Sequence, residues 1–195
     1  MSPYFQTHHV AGLLLTIVSL AWGAMELAHA GNEREGATRV GGFGRWFIAV
    51  PCLAAGVALL YLIPHIVPSA TIRPGIAAFV PGFVIAVAGL ILRGWSVKVL
   101  GDYFTGTVMV SADQPVISAG PYRLLRHPSY AGFLLACAGV GLASANWVAL
   151  AAMTLIPLTV FLLRIRTEEK ALLATLGDRY SGYAAHTKRL VPLVW

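Results

Sequence analysis

Residues 130–163 read YAGFLLACAGVGLASANWVALAAMTLIPLTVFLL, and this stretch decides the fold. It carries no charged side chain. It is too long for a single bilayer crossing, which takes about 20 apolar residues within a range of about 17–25. Ser144-Ala145-Asn146 interrupts it midway. The stretch therefore reads as a tight helical hairpin, with one span over about 130–144 and the next over about 147–165. Irregular backbone cannot face lipid, so both arms are expected to be helical.

Three further apolar segments lie upstream. The first covers 10–30 and carries Glu26 and His29 near its end. The second covers 46–67 and contains Pro51 and Pro64. The third runs from 76 to about 92, where Arg93 ends its apolar part. The expectation is an all-α integral membrane protein with about five transmembrane helices, the last two forming the hairpin.

Composition agrees with this reading. Hydrophobic residues make up 57% of the 195 and charged residues 11%, against about 25% charged in soluble domains. Mean hydropathy is +0.73. A soluble globular enzyme and a disordered chain are both excluded. The net charge of +6 does not imply nucleic acid when charges are so few, because membrane proteins collect Lys and Arg in cytoplasmic loops. With the N-terminus outside, the inner segments are 31–45, 93–129 and the tail after Leu163. Of the 14 basic residues, only Arg73 then falls outside. Ala28-His29-Ala30 resembles a signal-peptidase site, but residues 1–9 hold no Lys or Arg, so the first span is expected to be retained. Cys52 and Cys137 both sit in apolar runs and form neither a disulfide framework nor a CxxC metal site.

The chain reads as one polytopic membrane domain, residues 1–195, whose halves differ in texture. Residues 1–92 carry few motifs. Residues 93–195 carry nearly all polar groups suited to chemistry. One constellation is Gly120-Pro121-Tyr122-Arg123-Leu124-Leu125-Arg126-His127-Pro128-Ser129-Tyr130-Ala131-Gly132. His-Pro pushes His127 out of helical geometry, and Pro128 suits the first turn of a helix. Free N–H groups at that helix start can bind an anion or a carbonyl. The loop reads either as a binding site or as a basic, aromatic anchor to lipid headgroups. The second constellation is Arg164-Ile165-Arg166-Thr167-Glu168-Glu169-Lys170. Arg164 and Glu168 share a helix face, and the cluster reads either as a site or as an interfacial charge belt. Leu176-Gly177-Asp178-Arg179-Tyr180-Ser181-Gly182-Tyr183 then marks a helix break and an amphipathic cap.

In their order and spacing these pieces resemble the isoprenylcysteine carboxyl methyltransferase family, related to the membrane phospholipid methyltransferases. The resemblance covers about residues 100–195. It implies a cytosol-facing S-adenosylmethionine site, giving S-adenosylhomocysteine as product. By resemblance, Gln114, Pro115, Val116 and Ile117 line the cofactor, together with Tyr122 and the element His127, Pro128, Ser129 and Tyr130. Glu168 corresponds to the acid that binds the cofactor, with Glu169 as fallback if the register slips by one. Arg164 corresponds to the arginine associated with substrate, so Arg164 and Glu168 are the candidate catalytic pair. Helices in 1–92 would shape the acceptor pocket.

The implied reaction is carboxyl O-methylation of a lipophilic acceptor, a small molecule such as an isoprenylcysteine or a prenylated protein. It involves membrane lipid but neither nucleic acid nor metal. The implied location is the plasma membrane, with the catalytic face and C-terminus cytoplasmic. Amine or phospholipid N-methylation and thiol S-methylation fit the same cofactor. An NADPH-dependent sterol-type reductase and a non-enzymatic membrane component remain as other classes. The Glu168-Glu169 pair would repel a nucleotide 2′-phosphate. Glu26 and His29 are ionisable groups in a span and so functional candidates by default, but near a helix end they read rather as snorkelling interfacial groups. No His/Cys/Asp/Glu cluster has metal-ligand spacing. Asp102 and Tyr103 fall where they would cap a helix or edge the cofactor site, and Asn146 reads as the cap of the hairpin turn.

Overall fold

The structure is a computed structural model that describes residues 4–28, 38–40, 62–105 and 108–191. The helices are α1 (Tyr4–Thr7), α2 (His9–Ala28), α3 (Gly75–Leu100), α4 (Pro128–Ala143), α5 (Trp147–Leu176) and α6 (Asp178–His186). Three of them, α2, α3 (with its short extension to Tyr103) and α5, are long and apolar enough to cross a membrane. Exposed Leu13, Ile17, Leu20, Val84, Ile91, Leu155 and Leu163 stud their outer faces, as expected where lipid is the solvent. Most of the predicted second span lies outside the described residues. Of it, 62–66 are helical.

The hairpin forms where the sequence places it. Asn146 caps α5, its side-chain carbonyl accepting from the N–H groups of Val148 (2.9 Å) and Ala149 (3.2 Å). Its Nδ2 donates to the Val67 carbonyl at 3.0 Å, and Ile72 N–H donates to the Ala145 carbonyl at 2.7 Å. The turn is thus tied to the segment that leads into α3. The arms are unequal. The 16 residues of α4 rise about 24 Å, less than the ~30 Å hydrocarbon core. The 30 residues of α5 rise about 45 Å. The helix continues past the expected span end near 165 to Leu176, with the break at Gly177 where the sequence places it, and Arg164–Lys170 ride on its extension.

Helices α3 and α4 pack as an antiparallel pair of small-residue stripes. Gly82, Ala86, Gly89 and Arg93 face Gly132, Ala136, Gly139 and Ala143. A methyl group placed on Gly132 would lie 2.7 Å from the backbone nitrogen of Arg93, and one on Gly82 would lie 2.7 Å from the Gly139 carbonyl oxygen. In lipid there is no hydrophobic force between helices, so close backbone approach through Gly and Ala supplies the packing.

Arg93 ends only the apolar part of the third span: helix α3 runs on to Leu100, with Gly101 as its cap residue, and Arg93 is 3% exposed within it. Two expectations are corrected. Glu26 does not snorkel: it is 7% exposed and paired with Arg93. A buried guanidinium is tolerated there because a carboxylate from α2 meets it. The fold is also not purely helical. Strand β1 (Thr38–Val40) pairs antiparallel with β2 (Val108–Val110). This ladder joins segments 31–45 and 93–129, which the charge pattern had placed on one side.

Candidate functional site

At the end of the bundle opposite the hairpin turn, the two constellations and the tail enclose a cavity of about 120 Å³. Four elements build it. A 3₁₀ turn, Gly120–Arg123, buries Tyr122. Helix α4 starts at Pro128 in its first turn, with His127 as the non-helical cap residue (φ −124°, ψ 55°). The extension of α5 presents Arg164, Glu168, Leu172 and Leu176, four residues apart, as one wall. Helix α6 adds Tyr180 and Tyr183 after the break at Gly177, whose φ is +53°.

Tyr130 is the centre of the polar geometry. Its hydroxyl donates to Glu168 Oε2 at 2.7 Å and accepts from Arg164 Nε at 2.8 Å. The i, i+4 pair read from the sequence is thus bridged by a phenol on the neighbouring helix. The Tyr130 ring is held between His127, parallel at 5.4 Å between centroids, and Phe161, stacked at 4.6 Å. Phe161 meets Phe133 edge-on at 5.1 Å, and Phe133 meets Trp22 at 4.9 Å. The bridging hydroxyl therefore stands on an aromatic column that reaches into α2.

Glu169 does different work from its neighbour. Its carboxylate accepts from Arg126 Nε at 2.8 Å and Arg189 Nε at 2.9 Å, with His127 Nε2 at 3.4 Å. Arg126 also donates to the Ala184 carbonyl at 2.7 Å and the Thr187 carbonyl at 2.5 Å. Backbone bonds join Arg126 to Lys188 and His127 to Arg189. Tyr183 donates to the Tyr122 carbonyl at 2.8 Å. Together these contacts strap the tail onto the His-Pro loop beside the cavity.

Of the residues assigned from the sequence, Gln114, Pro115, Val116, Ile117, Tyr122, His127, Ser129, Tyr130, Arg164 and Glu168 line the cavity. Pro128 and Glu169 do not. Pro128 is packed inside the first turn of α4, and Glu169 lies one residue, about 100° of helix rotation, away from the lining face. Tyr103 lines the cavity and the exposed Asp102 does not. Arg126, Met109 and Phe104 also belong to the wall. Arg126 stands inside the motif read from the sequence, whereas no local signal marked Phe104 or Met109.

Burial acts on the tyrosines of the loop and tail. It pushes the Tyr122 hydroxyl above its ordinary range, with the Glu168 charge adding to the effect. It pushes Tyr183 up to about 12. Both remain neutral donors through the physiological range. Among the described residues, no group of three or more His, Cys, Asp or Glu is placed to hold a metal ion.

Residues 82–174 match the model of the isoprenylcysteine carboxyl methyltransferase family. A probable protein-S-isoprenylcysteine O-methyltransferase of Oryza sativa subsp. indica is 31% identical over 115 residues, covering 58% of this chain and 60% of the rice protein. Protein-S-isoprenylcysteine O-methyltransferase A of Arabidopsis thaliana is 31% identical over the same length, covering 58% of each chain. The chain thus spans about three fifths of the length of these relatives. The fold is similar to a solved structure of a eukaryotic intramembrane Ras methyltransferase, with a TM-score of 0.63 at 23% identity over 75% of this chain and 52% of that one. Three of the described helices are long and apolar enough to cross a membrane, which supports an integral membrane protein.

Proposed function

From the match of residues 82–174 to the model of the isoprenylcysteine carboxyl methyltransferase family, we propose that this chain is an S-adenosylmethionine-dependent methyltransferase of the membrane. Its reaction on this reading is carboxyl O-methylation of a lipophilic acceptor of the isoprenylcysteine kind. The site end of the bundle faces the cytoplasm, with the N-terminus outside. The observation that carries the reading is the Tyr130 hydroxyl held between Arg164 and Glu168 in the cavity wall.

The donor set fits the cofactor. Glu168 supplies a carboxylate for the amino-acid ammonium through a charge-assisted hydrogen bond. Tyr122, His127 and Tyr130 supply aromatic faces, and Val116 and Ile117 an apolar wall. When bound, S-adenosylmethionine supplies a methyl group activated by a sulfonium centre. The chain contributes position. Arg164 holds the acceptor carboxylate in a fixed orientation, and fixed orientation supplies much of the rate in a displacement. Tyr130 takes Arg164 Nε, so the guanidinium is shared and quenches the acceptor's negative charge less. Leu172 and Leu176 of the α5 wall add apolar surface to the cavity.

The test uses detergent-purified protein and titrates S-adenosylhomocysteine, S-adenosylmethionine and NADPH calorimetrically. Transfer of labelled methyl to a free prenylcysteine is then measured. Saturable binding of the adenosyl ligands, lost in Glu168→Ala and His127→Ala, and methyl ester formation are expected. Binding of NADPH alone would move the chain to the reductases. Folded protein that binds none of the three would end the enzyme reading.

A further inference from the structure

Among the described residues, one buried side-chain polar atom has no hydrogen-bond partner: the hydroxyl oxygen of Tyr180. Tyr180 is 4% exposed, and it forms part of the cavity wall with Leu176 and Tyr183. A buried hydroxyl without a partner is costly, and native proteins keep few of them. A phenylalanine would fill the same space without that cost. The hydroxyl therefore calls for an acceptor that enters the cavity.

Building on the cofactor reading above, we propose that Tyr180 is a ligand-binding residue whose hydroxyl donates to the α-carboxylate at the amino-acid end of the adenosyl cofactor. Three observations fix that choice. First, Tyr180 lines the same cavity as Glu168, the residue assigned to the ammonium. In an α-amino acid the ammonium and the carboxylate share one carbon, so the two protein groups must lie close together. Second, a carboxylate brought near Glu168 and Glu169 meets like charge and needs a donor to offset it. Arg126 is in the wall, but its Nε and Nη1 are committed to Glu169 and to the carbonyls of Ala184 and Thr187. Third, the Tyr180 hydroxyl stays protonated. Burial raises it above the ordinary tyrosine range, and Glu169 and Glu168 raise it further, so it is a donor at any physiological pH.

The experiment compares full-length wild type with Tyr180→Phe, which keeps the ring and removes only the oxygen. Each is titrated with S-adenosylhomocysteine and with 5′-methylthioadenosine, which has the nucleoside and thioether but no amino-acid end. The expected result is about tenfold weaker binding of S-adenosylhomocysteine by the variant, with 5′-methylthioadenosine unchanged. The melting temperature without ligand should stay level or rise, because an unpartnered hydroxyl is gone. Equal S-adenosylhomocysteine affinity in both proteins would overturn the proposal. Equal weakening of both ligands would place the hydroxyl at the nucleoside end and overturn the carboxylate assignment. A lower melting temperature without ligand would give Tyr180 a structural role instead. Wild type that binds neither adenosyl ligand would bring down the cofactor reading itself, whatever the variant does.

Discussion

Glu26 and Arg93, 67 positions apart in the chain, form a two-point ion pair inside the bundle, with Nε–Oε1 at 2.5 Å and Nη2–Oε2 at 2.7 Å. The same guanidinium donates to the Ser129 carbonyl at 3.1 Å and to Ser129 Oγ at 3.0 Å. It also lies 5.0 Å from the centre of the Phe133 ring. One charge pair therefore ties α2 and α3 to the first turn of α4, beside the residues that line the cavity.

Breaking that pair should be costly. Glu26→Ala leaves an uncompensated buried guanidinium and is expected to destabilise by about 3–5 kcal/mol. Replacing both partners, Glu26→Leu with Arg93→Met, should recover most of that loss, because no charge then remains unpaired. Thermal unfolding in one detergent measures both. A double variant as unstable as the single one would show that Arg93 acts mainly through Ser129.

The glycines of the α3–α4 contact should tolerate no side chain. Gly132→Leu pushes a branched group against the Arg93 backbone and is expected to cost about 3 kcal/mol or to prevent folding. Gly182→Ala, where no atom lies within 4 Å of the new methyl, should be neutral or stabilising by up to about 1 kcal/mol. Yield of monodisperse protein and melting temperature separate the two.

Tyr130→Phe removes the hydroxyl between Arg164 and Glu168 while keeping the stack on Phe161. The fold should be unaffected. The rate of methyl transfer is expected to fall about 10- to 100-fold, since small misplacements of reacting groups have effects of that size. The loss should appear in kcat more than in cofactor affinity. An unchanged kcat would detach the bridge from the chemistry.

The adjacent glutamates should fail differently. Glu168→Gln is expected to weaken S-adenosylhomocysteine binding with little change in melting temperature. Glu169→Gln removes the anion shared by Arg126 and Arg189, and should speed amide hydrogen exchange across 184–190. Faster exchange in Glu168→Gln and not in Glu169→Gln would reverse the assignment.

Alkaline pH should loosen the tail. Burial raises the Tyr183 hydroxyl from 10.0 to about 12 in the folded protein, so between those values the folded state keeps a proton that the unfolded chain has lost. Its contribution is complete below about pH 10 and is lost as pH rises through about 12. Stability of wild type should fall over that window, and Tyr183→Phe should show a shallower fall. Identical profiles would remove Tyr183 as the titrating group.

The membrane class, the hairpin at Ser144-Ala145-Asn146 and the pairing of Arg164 with Glu168 on one face were all legible in the sequence. Each follows from local rules: the length an apolar run needs to cross lipid, the side-chain oxygen that satisfies free N–H groups at a helix start, and the i, i+4 geometry of a helix. These rules act on neighbouring residues, so the order of residues alone carries them. The choice between Glu168 and Glu169 was not legible, because neighbours on a helix point about 100° apart and only the position of α4 and of the tail decides which side is the cavity. The Glu26–Arg93 pair was hidden for the same reason. Each residue alone resembles an interfacial charge near a helix end, and burial of either is tolerable only once the close packing of α3 and α4 and the approach of α2 bring the other within 2.5 Å.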